Sequence, residues 1–306
     1  ESTMDTRTNE QQNLNQMGLY LQDQLSWNNW ELLLSGRYDW AEVRTRDMTT
    51  TPSEATQQND SKFTWRTGLL YAFDIGLSPY ISYSTSLAPN LPTNRAPGGA
   101  PFAPPTGTLT ATGVKYQPTD STIMSLALYD RRQNNVATYN SDLQWYENTG
   151  EIRSKGLEAE VHSALLNDSI NLIGSYTYTD TENVSTTVAG TEGKSPARIP
   201  THMASAFASY TVPNGPLKSL TTGAGMRYIG TSYGDAKNTF KVPSVDLYDL
   251  MMSYQLGELS SSLKGAKVQV NVNNLADTHY VASCNSTSSC FYGVGRNVTA
   301  TISYDW

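Results

Sequence analysis

The sequence predicts an all-β fold, an antiparallel sheet whose strands each have one apolar and one polar side. The clearest strand is the last one, where Val298, Ala300, Ile302, Tyr304 and Trp306 alternate with polar residues. Strand-like segments of about 10 to 16 residues recur along the chain, separated alternately by short turns and long polar loops. Tyr (19) and Trp (6) outnumber Phe (6), and rings with a polar group suit membrane interfaces. We therefore expect a transmembrane outer-membrane β-barrel; a soluble β-sandwich shares the alternation but lacks the aromatic strand ends.

Composition supports the same class. The chain has 306 residues, a net charge of −7 and a pI near 5.0, which argues against a nucleic-acid partner because phosphate contacts need clustered Lys and Arg. The mean hydropathy of −0.46 is low for a membrane protein. It is compatible with a barrel, because only alternate residues of a spanning strand meet lipid.

The pattern predicts about thirteen strands in consecutive hairpins. The predicted strands are 14–27, 30–44, 62–73, 77–87, 108–117, 121–134, 145–165, 169–179, 202–212, 218–233, 245–256, 266–280 and 298–306. The short turns are 28–29, 74–76, 118–120, 167–168, 213–215 and 257–265. Residues 1–13 and 47–61 are predicted as exposed loops, and the six prolines of 88–107 also indicate a loop.

An odd strand count has a consequence for the barrel. A single-chain bacterial barrel has an even number of strands, and open sheet edges are not tolerated inside lipid. Either the count is wrong by one, or residues 1–306 are the C-terminal part of a larger barrel. We expect the second, because the chain starts in a loop-like segment.

Two cysteines, Cys284 and Cys290, bracket a short polar segment. The spacing predicts a disulfide-closed loop in an oxidising compartment. The alternative is a metal site with His279, which lacks enough ligands at a suitable spacing. We expect no metal site.

Eight segments resemble the TonB-dependent siderophore receptors of the hydroxamate type, the ferrioxamine and ferrichrome receptor family. They are Gly36–Asp39, Phe63–Arg66, Gly150–Glu160, Gly174–Thr179, Gly230–Asp235, Val272–Asp277, Tyr280–Cys284 and Cys290–Gly293. The resemblance covers essentially the whole chain, and the order of the segments is that of the family. Several positions depart from the family pattern: Ala111 and Thr85 stand where Glu is common, Ala276 where an aromatic residue is usual, and Arg131-Arg132 where Asn-Leu is more typical.

The resemblance implies a 22-stranded barrel filled by an N-terminal plug, in which residues 1–306 form the C-terminal part of the barrel. The plug and the first strands are not present in this sequence. The implied partners are a ferric hydroxamate siderophore of the ferrioxamine type, the plug domain, TonB acting through a segment before the plug, outer-membrane lipid or lipopolysaccharide, and phage or bacteriocins. Iron would arrive inside the siderophore, so no cofactor is expected. The alternative function is a plugless or truncated barrel that acts as a passive diffusion pore.

Aromatic residues near the outer strand ends are the candidate ligand-binding residues. A ferric hydroxamate presents an apolar, roughly neutral surface that rings can cover without desolvating a charge. The candidates are Tyr292, Phe291, Trp145, Tyr146 and Tyr233. The alternative is an interfacial girdle, which needs Tyr and Trp at the same height.

Charged residues on the inward parity are the candidates for docking the plug. They are Arg37, Asp39, Arg66, Lys115, Glu158, Glu160 and Arg227. The alternative is a ladder of solvated cross-strand ion pairs, each worth under ~1 kcal/mol. No enzyme is expected, because His162, His202 and His279 lie on different strands and Ser163, which follows His162, points to the opposite face of its strand.

Overall fold

The computed structural model describes residues 9–49, 54–89, 102–140, 145–148 and 150–306, with side chains in all of these except 54, 138–140 and 145–148. Two short 3-10 helices, Leu256–Glu258 and Ser261–Leu263, accompany the strands of this part of the chain. The strands are β1 Glu10–Trp27, β2 Trp30–Asp47, β3 Glu54–Tyr71, β4 Leu77–Leu87, β5 Thr106–Thr119, β6 Thr122–Asn134, β7 Ala137–Asn140, β8 Trp145–Asn148, β9 Glu151–Leu165, β10 Ile170–Ser185, β11 His202–Thr211, β12 Thr221–Ile229, β13 Ser232–Tyr233, β14 Lys241–Val242, β15 Val245–Gln255, β16 Ala266–Asn273, β17 Val281–Ser286, β18 Ser289–Tyr292 and β19 Asn297–Tyr304.

Thirteen of these strands form one antiparallel sheet, which confirms the predicted count. Each sheet strand pairs with the next one along the chain, in the order β1-β2-β3-β4-β5-β6-β9-β10-β11-β12-β15-β16-β19. The other six strands form the hairpins β7–β8, β13–β14 and β17–β18 inside the connections. Within the described ranges, β1 and β19 are the two edges of the sheet and do not pair with each other.

The alternation of apolar and polar residues gives the sheet two different faces. Directly opposed residues point the same way, so the register aligns apolar side chains into rungs across β1, β2 and β3: Leu19, Tyr38 and Phe63 form one, and Trp27, Trp30 and Tyr71 another. We call the face that bears these rungs the apolar face and the opposite one the polar face. The ring centroids of Trp30 and Tyr71 are 4.8 Å apart, edge to face.

The connections at the two ends of the sheet differ in length, as predicted. One end carries the tight turns, such as Asn28-Asn29, where Asn28 takes the positive φ of 51° that a two-residue hairpin turn needs. We call this the short-turn end. The other end, the long-loop end, carries the six-residue connection between β2 and β3 and the longer connections 88–105, 135–150, 186–201, 230–244 and 274–296. No helix among the described residues has the length and apolarity to cross a membrane.

The predicted loop at 47–61 is wrong over its second half, and the first strand begins earlier than predicted. β3 starts at Glu54 and pairs with β2 from Asp47↔Glu54 onward, and β1 starts at Glu10, which pairs with the same Asp47. These outer strand segments are polar on both faces, so periodicity does not reveal them. Cross-strand backbone hydrogen bonds hold them in the sheet nevertheless.

Three predicted strands are too long. The segment 145–165 divides into β8 and β9, 218–233 into β12 and β13, and 266–280 ends with β16 at Asn273. In each case the chain leaves the main sheet and continues as a local hairpin or loop, and local sequence does not distinguish the two kinds of pairing. The turn predicted at 118–120 is also shifted: β5 continues to Thr119 through an irregularity after Tyr116 that accommodates Pro118.

Candidate functional site

The β17–β18 hairpin carries two of the candidate ligand residues at the long-loop end. Cys284 and Cys290 are directly opposed and joined by a disulfide, with Cα atoms 4.0 Å apart, which confirms the predicted pairing. Phe291 is 53% exposed and Tyr292 83% exposed. Gly293 follows them, and a Cβ at this position would overlap the ring of Tyr280. The glycine therefore lets the two arms of the loop approach each other.

Asn274 closes the base of this loop. It is 2% exposed, and its side-chain amide donates to the carbonyls of Thr278 (2.9 Å) and Val294 (3.1 Å), one on each arm. Its φ of 53° lies in the left-handed region that Asn tolerates better than most residues. One residue thus fixes both arms of the 274–296 connection.

Asp277 forms a second link across the same base. Its Oδ1 accepts the backbone N–H of Arg296 at 2.8 Å. This hydrogen bond, aided by the guanidinium of Arg296, holds the pKa of Asp277 below its ordinary value. The carboxylate therefore remains charged over the whole neutral range.

An ion pair on the polar face lies directly below this base. Arg227 on β12 donates to both carboxylate oxygens of Asp249 on β15, at 2.7 and 2.9 Å. Oδ1 of Asp249 also accepts the backbone N–H of Asn274 at 2.9 Å. Arg227 was predicted from the sequence as a site residue, whereas Asp249 and Asn274 were not. Asp249 could have been predicted, because it lies on the inward parity of its strand.

The other charged residues selected from the sequence all lie on the polar face, in different surroundings. Arg37 donates to Asp39 on the same strand, with Nη2 and Oδ1 2.7 Å apart, and Asp39 is buried. The ammonium of Lys115 lies 5.8 Å from the ring centroid of Tyr80. Among the described residues, no oppositely charged side chain lies within ion-pair distance of Arg66, Glu158 or Glu160.

Arg198 links Phe291 to Tyr233, and Lys241 also lies against Tyr233; neither cation was predicted from the sequence as a site residue. The guanidinium carbon of Arg198 lies 5.4 Å from the ring centroid of Phe291, and the ammonium of Lys241 lies 5.1 Å from that of Tyr233. The backbone N–H of Arg198 donates to the carbonyl of Tyr233 at 3.0 Å. We call Phe291, Arg198, Tyr233 and Lys241 the cation–aromatic row. Its members come from three connections. The two cations could not be predicted from the sequence, because residues in loops follow no period.

An amide clamp fixes two of these three connections to each other. The side chain of Asn238 donates to the carbonyl of Ser195 at 2.7 Å and accepts its backbone N–H at 3.0 Å. Asn238 has a positive φ of 59°. The connections 186–201 and 230–244 are therefore linked near Arg198, so the row is supported by hydrogen-bonded backbone.

Two other candidates from the sequence belong to a different connection. Trp145 and Tyr146 lie on β8, which pairs with β7 in a separate two-stranded hairpin. Their side chains lie outside the described residues, so their ligand role stays a prediction.

Of the departures from the family pattern, Thr85 has a local role. Its Oγ1 accepts the backbone N–H of Trp65 at 2.9 Å, just beyond the last β3–β4 pair, Arg66↔Ser84. The hydroxyl thus takes over where the backbone ladder ends. Ala111 lies on the polar face between Ser82 and Tyr129. Nothing in the structure explains the residue change at Ala111 or at Ala276.

Comparisons with known proteins agree with this architecture. The chain is 41% identical over 291 residues to the "Ferrichrome outer membrane transporter/phage receptor" of Escherichia coli (strain K12), covering 94% of this chain and 38% of the relative. It is 40% identical over 292 residues to the "Ferrioxamine receptor" of Yersinia enterocolitica, covering 95% of this chain and 40% of the relative. The chain thus spans about two fifths of the length of these relatives. Both are receptors or transporters, in agreement with the expectation that this chain is not an enzyme.

A solved structure shows the same fold, and a family model identifies the family. The crystal structure of the siderophore receptor PiuA from Acinetobacter baumannii superposes with a TM-score of 0.78 at 24% identity, covering 96% of this chain and 44% of that one. At this identity the superposition shows the fold alone. The family model described as TonB dependent receptor-like, beta-barrel matches residues 2–275. The chain belongs to the β-barrel family of TonB-dependent receptors.

Proposed function

We propose that this chain forms the C-terminal part of an outer-membrane receptor that binds a ferric hydroxamate siderophore from outside and imports it with energy delivered through TonB. The observation that carries the proposal is the exposed pair Phe291 and Tyr292, presented at the long-loop end by a disulfide-closed, doubly anchored hairpin. About 40% identity to ferrichrome and ferrioxamine receptors supports the hydroxamate class.

The membrane orientation follows from the family. Outer-membrane barrels have short periplasmic turns and longer outer loops, so the short-turn end is periplasmic and the long-loop end faces outward. Phe291, Tyr292 and Tyr233 therefore lie on the side from which a siderophore arrives. Exposed rings at the mouth of a lumen can bury the apolar surface of a chelate at low conformational cost.

The polar face is the proposed docking surface of a plug domain. Arg66, Glu158 and Glu160 have no oppositely charged partner within the described ranges, so complementary charges on a plug can pair with them. The pairs Arg37–Asp39 and Arg227–Asp249 are already satisfied within the sheet. We propose that the three unpaired charged residues contact the plug. The two ion pairs instead stabilise the sheet itself.

The alternative, a passive pore closed by this chain alone, is less favoured by the sheet. The edges β1 and β19 are separate, and unpaired backbone cannot face lipid. Strands from another part of the same receptor would satisfy both edges. We propose that such strands, with the plug, complete the barrel.

Further partners at the outer loops are proposed from the relatives. The Escherichia coli relative is named as a phage receptor, and one structural neighbour is "Structure of the FpvAI-pyocin S2 complex". The outer connections of this chain would be accessible to a phage or a bacteriocin in the same way. The apolar face would contact outer-membrane lipid, including lipopolysaccharide in the outer leaflet.

Titration of the outer-membrane protein that contains this chain with a ferric trihydroxamate tests the proposal. We expect quenching of tryptophan fluorescence on binding, and roughly ten-fold weaker binding for the double variant Phe291→Ala, Tyr292→Ala, since two exposed rings lose their contact area. Tyr210→Ala is the matched control, because Tyr210 is 44% exposed near the short-turn end. Unchanged affinity in the double variant would show that Phe291 and Tyr292 do not contribute to siderophore binding.

A further inference from the structure

The two cations of the cation–aromatic row are exposed, and their charges are not compensated locally. In the part of the chain that the structure describes, neither Arg198 nor Lys241 has a carboxylate within ion-pair distance. Each lies instead against a ring, Phe291 or Tyr233. A cation over a ring face keeps its full charge and its outward-facing donors available to a ligand.

The charge of the surrounding connections differs in sign from that of the chain. The segments 186–201, 230–244 and 274–296 contain five cations, Lys194, Arg198, Lys237, Lys241 and Arg296, and three carboxylates, Glu192, Asp235 and Asp277. Counting five positive and three negative charges gives +2, whereas the whole chain carries −7. The remainder of the chain therefore carries −9.

Two of the three carboxylates in these segments are already engaged within their own loops. Asp235 accepts the backbone N–H of Thr239 at 2.7 Å and its hydroxyl at 2.6 Å. Asp277 accepts the backbone N–H of Arg296. Neither carboxylate forms an ion pair with Arg198 or Lys241.

We propose that the cation–aromatic row makes this site selective for the charge carried on the periphery of the iron chelate. The proposal rests on the function proposed above and deepens it. A ferric hydroxamate with a peripheral carboxylate binds best, a neutral one binds less tightly, and one with a protonated amine binds worst. A chelate that packs against Phe291 also meets Arg198, whose guanidinium can donate two parallel hydrogen bonds to a carboxylate. A protonated amine approaching the same surface meets two unpaired positive charges.

Three chelates with one common iron core test this proposal. Ferric desferrioxamine B carries a terminal ammonium group, its N-acetyl derivative is neutral there, and its N-succinyl derivative ends in a carboxylate. Binding of each to the outer-membrane protein that contains this chain is measured at low and at high salt. We expect the succinyl chelate to bind roughly ten-fold more tightly than the amine at low salt, since two unit charges separate them, and the ratio to fall at high salt.

Variants then assign the effect to the row. Arg198→Gln together with Lys241→Gln should reduce the ratio between the succinyl and amine chelates to about one to two, since the two cations that lie against the rings are removed. Lys264→Gln, in the connection at the short-turn end, is the control and should leave the ratio unchanged. Equal affinity for all three chelates in the unchanged protein would overturn the charge selectivity and leave the proposed function standing. Failure to bind any of the three would overturn both.

Discussion

Oδ1 of Asp249 accepts the backbone N–H of Asn274 at 2.9 Å, and this hydrogen bond joins the longest outer connection to the inner wall of the sheet. Asp249 is held in turn by Arg227, and Asn274 holds both arms of the loop that presents Phe291 and Tyr292. The position of the exposed rings therefore depends on a polar network below them, in which Asn274 is buried and Arg227 and Asp249 are partly exposed.

Asn274→Ala should loosen the outer loop while leaving the sheet intact. The change removes two donated hydrogen bonds and one accepted hydrogen bond from a buried site and places Ala at a positive φ, for a combined cost of about 2–4 kcal/mol to the local stability of the loop. Hydrogen–deuterium exchange should show lost protection over 278–296 and unchanged protection in β12 and β15. Asn274→Gly is the matched control, because it keeps the backbone conformation and loses only the amide. Equal protection in the alanine variant and the parent would show that the network does not anchor the loop.

The Asp277–Arg296 link should weaken in acid. The pKa of Asp277 is lowered in the folded loop, so its contribution is fully present above its unfolded pKa of about 4. The contribution disappears as the pH falls through the lower, folded pKa, where the carboxylate gains a proton and accepts the N–H more weakly. The readout is protection of the Arg296 amide, corrected for intrinsic exchange, between about pH 6 and pH 2. In Asp277→Ala the protection should be low throughout, and a pH-independent parent would contradict the assignment.

Removing the disulfide should affect the ligand site more than the barrel. Cys284→Ser with Cys290→Ser leaves the thirteen-stranded sheet unchanged, because the bridge lies wholly within the β17–β18 hairpin. The loop should lose about 2 kcal/mol of local stability, and ferric hydroxamate affinity should fall several-fold. Thermal unfolding of the barrel should move little. A large drop in the unfolding temperature with unchanged binding would show that the disulfide stabilises the barrel and not the ligand site.

The open edges predict that the functional unit is larger than this chain. We expect the intact mass of the purified outer-membrane species to be well above 33.6 kDa, with little conductance in planar bilayers until the plug is removed. Mass spectrometry and bilayer recording measure both. A single species of 33.6 kDa with steady open conductance would instead favour the passive pore.

Much of the architecture could be predicted because it follows from local periodicity. Leu19, Tyr38 and Phe63 each belong to a row of alternate residues on their own strand, and hairpin pairing then places these rows on one face. The disulfide was predictable because Cys284 and Cys290 are close in sequence. The strand segment starting at Glu54 was not, because it is polar on both faces and is held by backbone pairing to β2.

The sequence by itself determined the fold class, the thirteen-stranded sheet, the two faces and the end at which the long connections lie, since each of these depends on alternation within a strand or on turn chemistry. The tertiary structure alone decided which distant residues meet. Arg198, Tyr233 and Phe291 lie in three separate connections, and Asn274 meets Asp249 only because β16 returns beside β15. Contacts between loops have no sequence period, because they arise from the way the sheet brings the loop bases together.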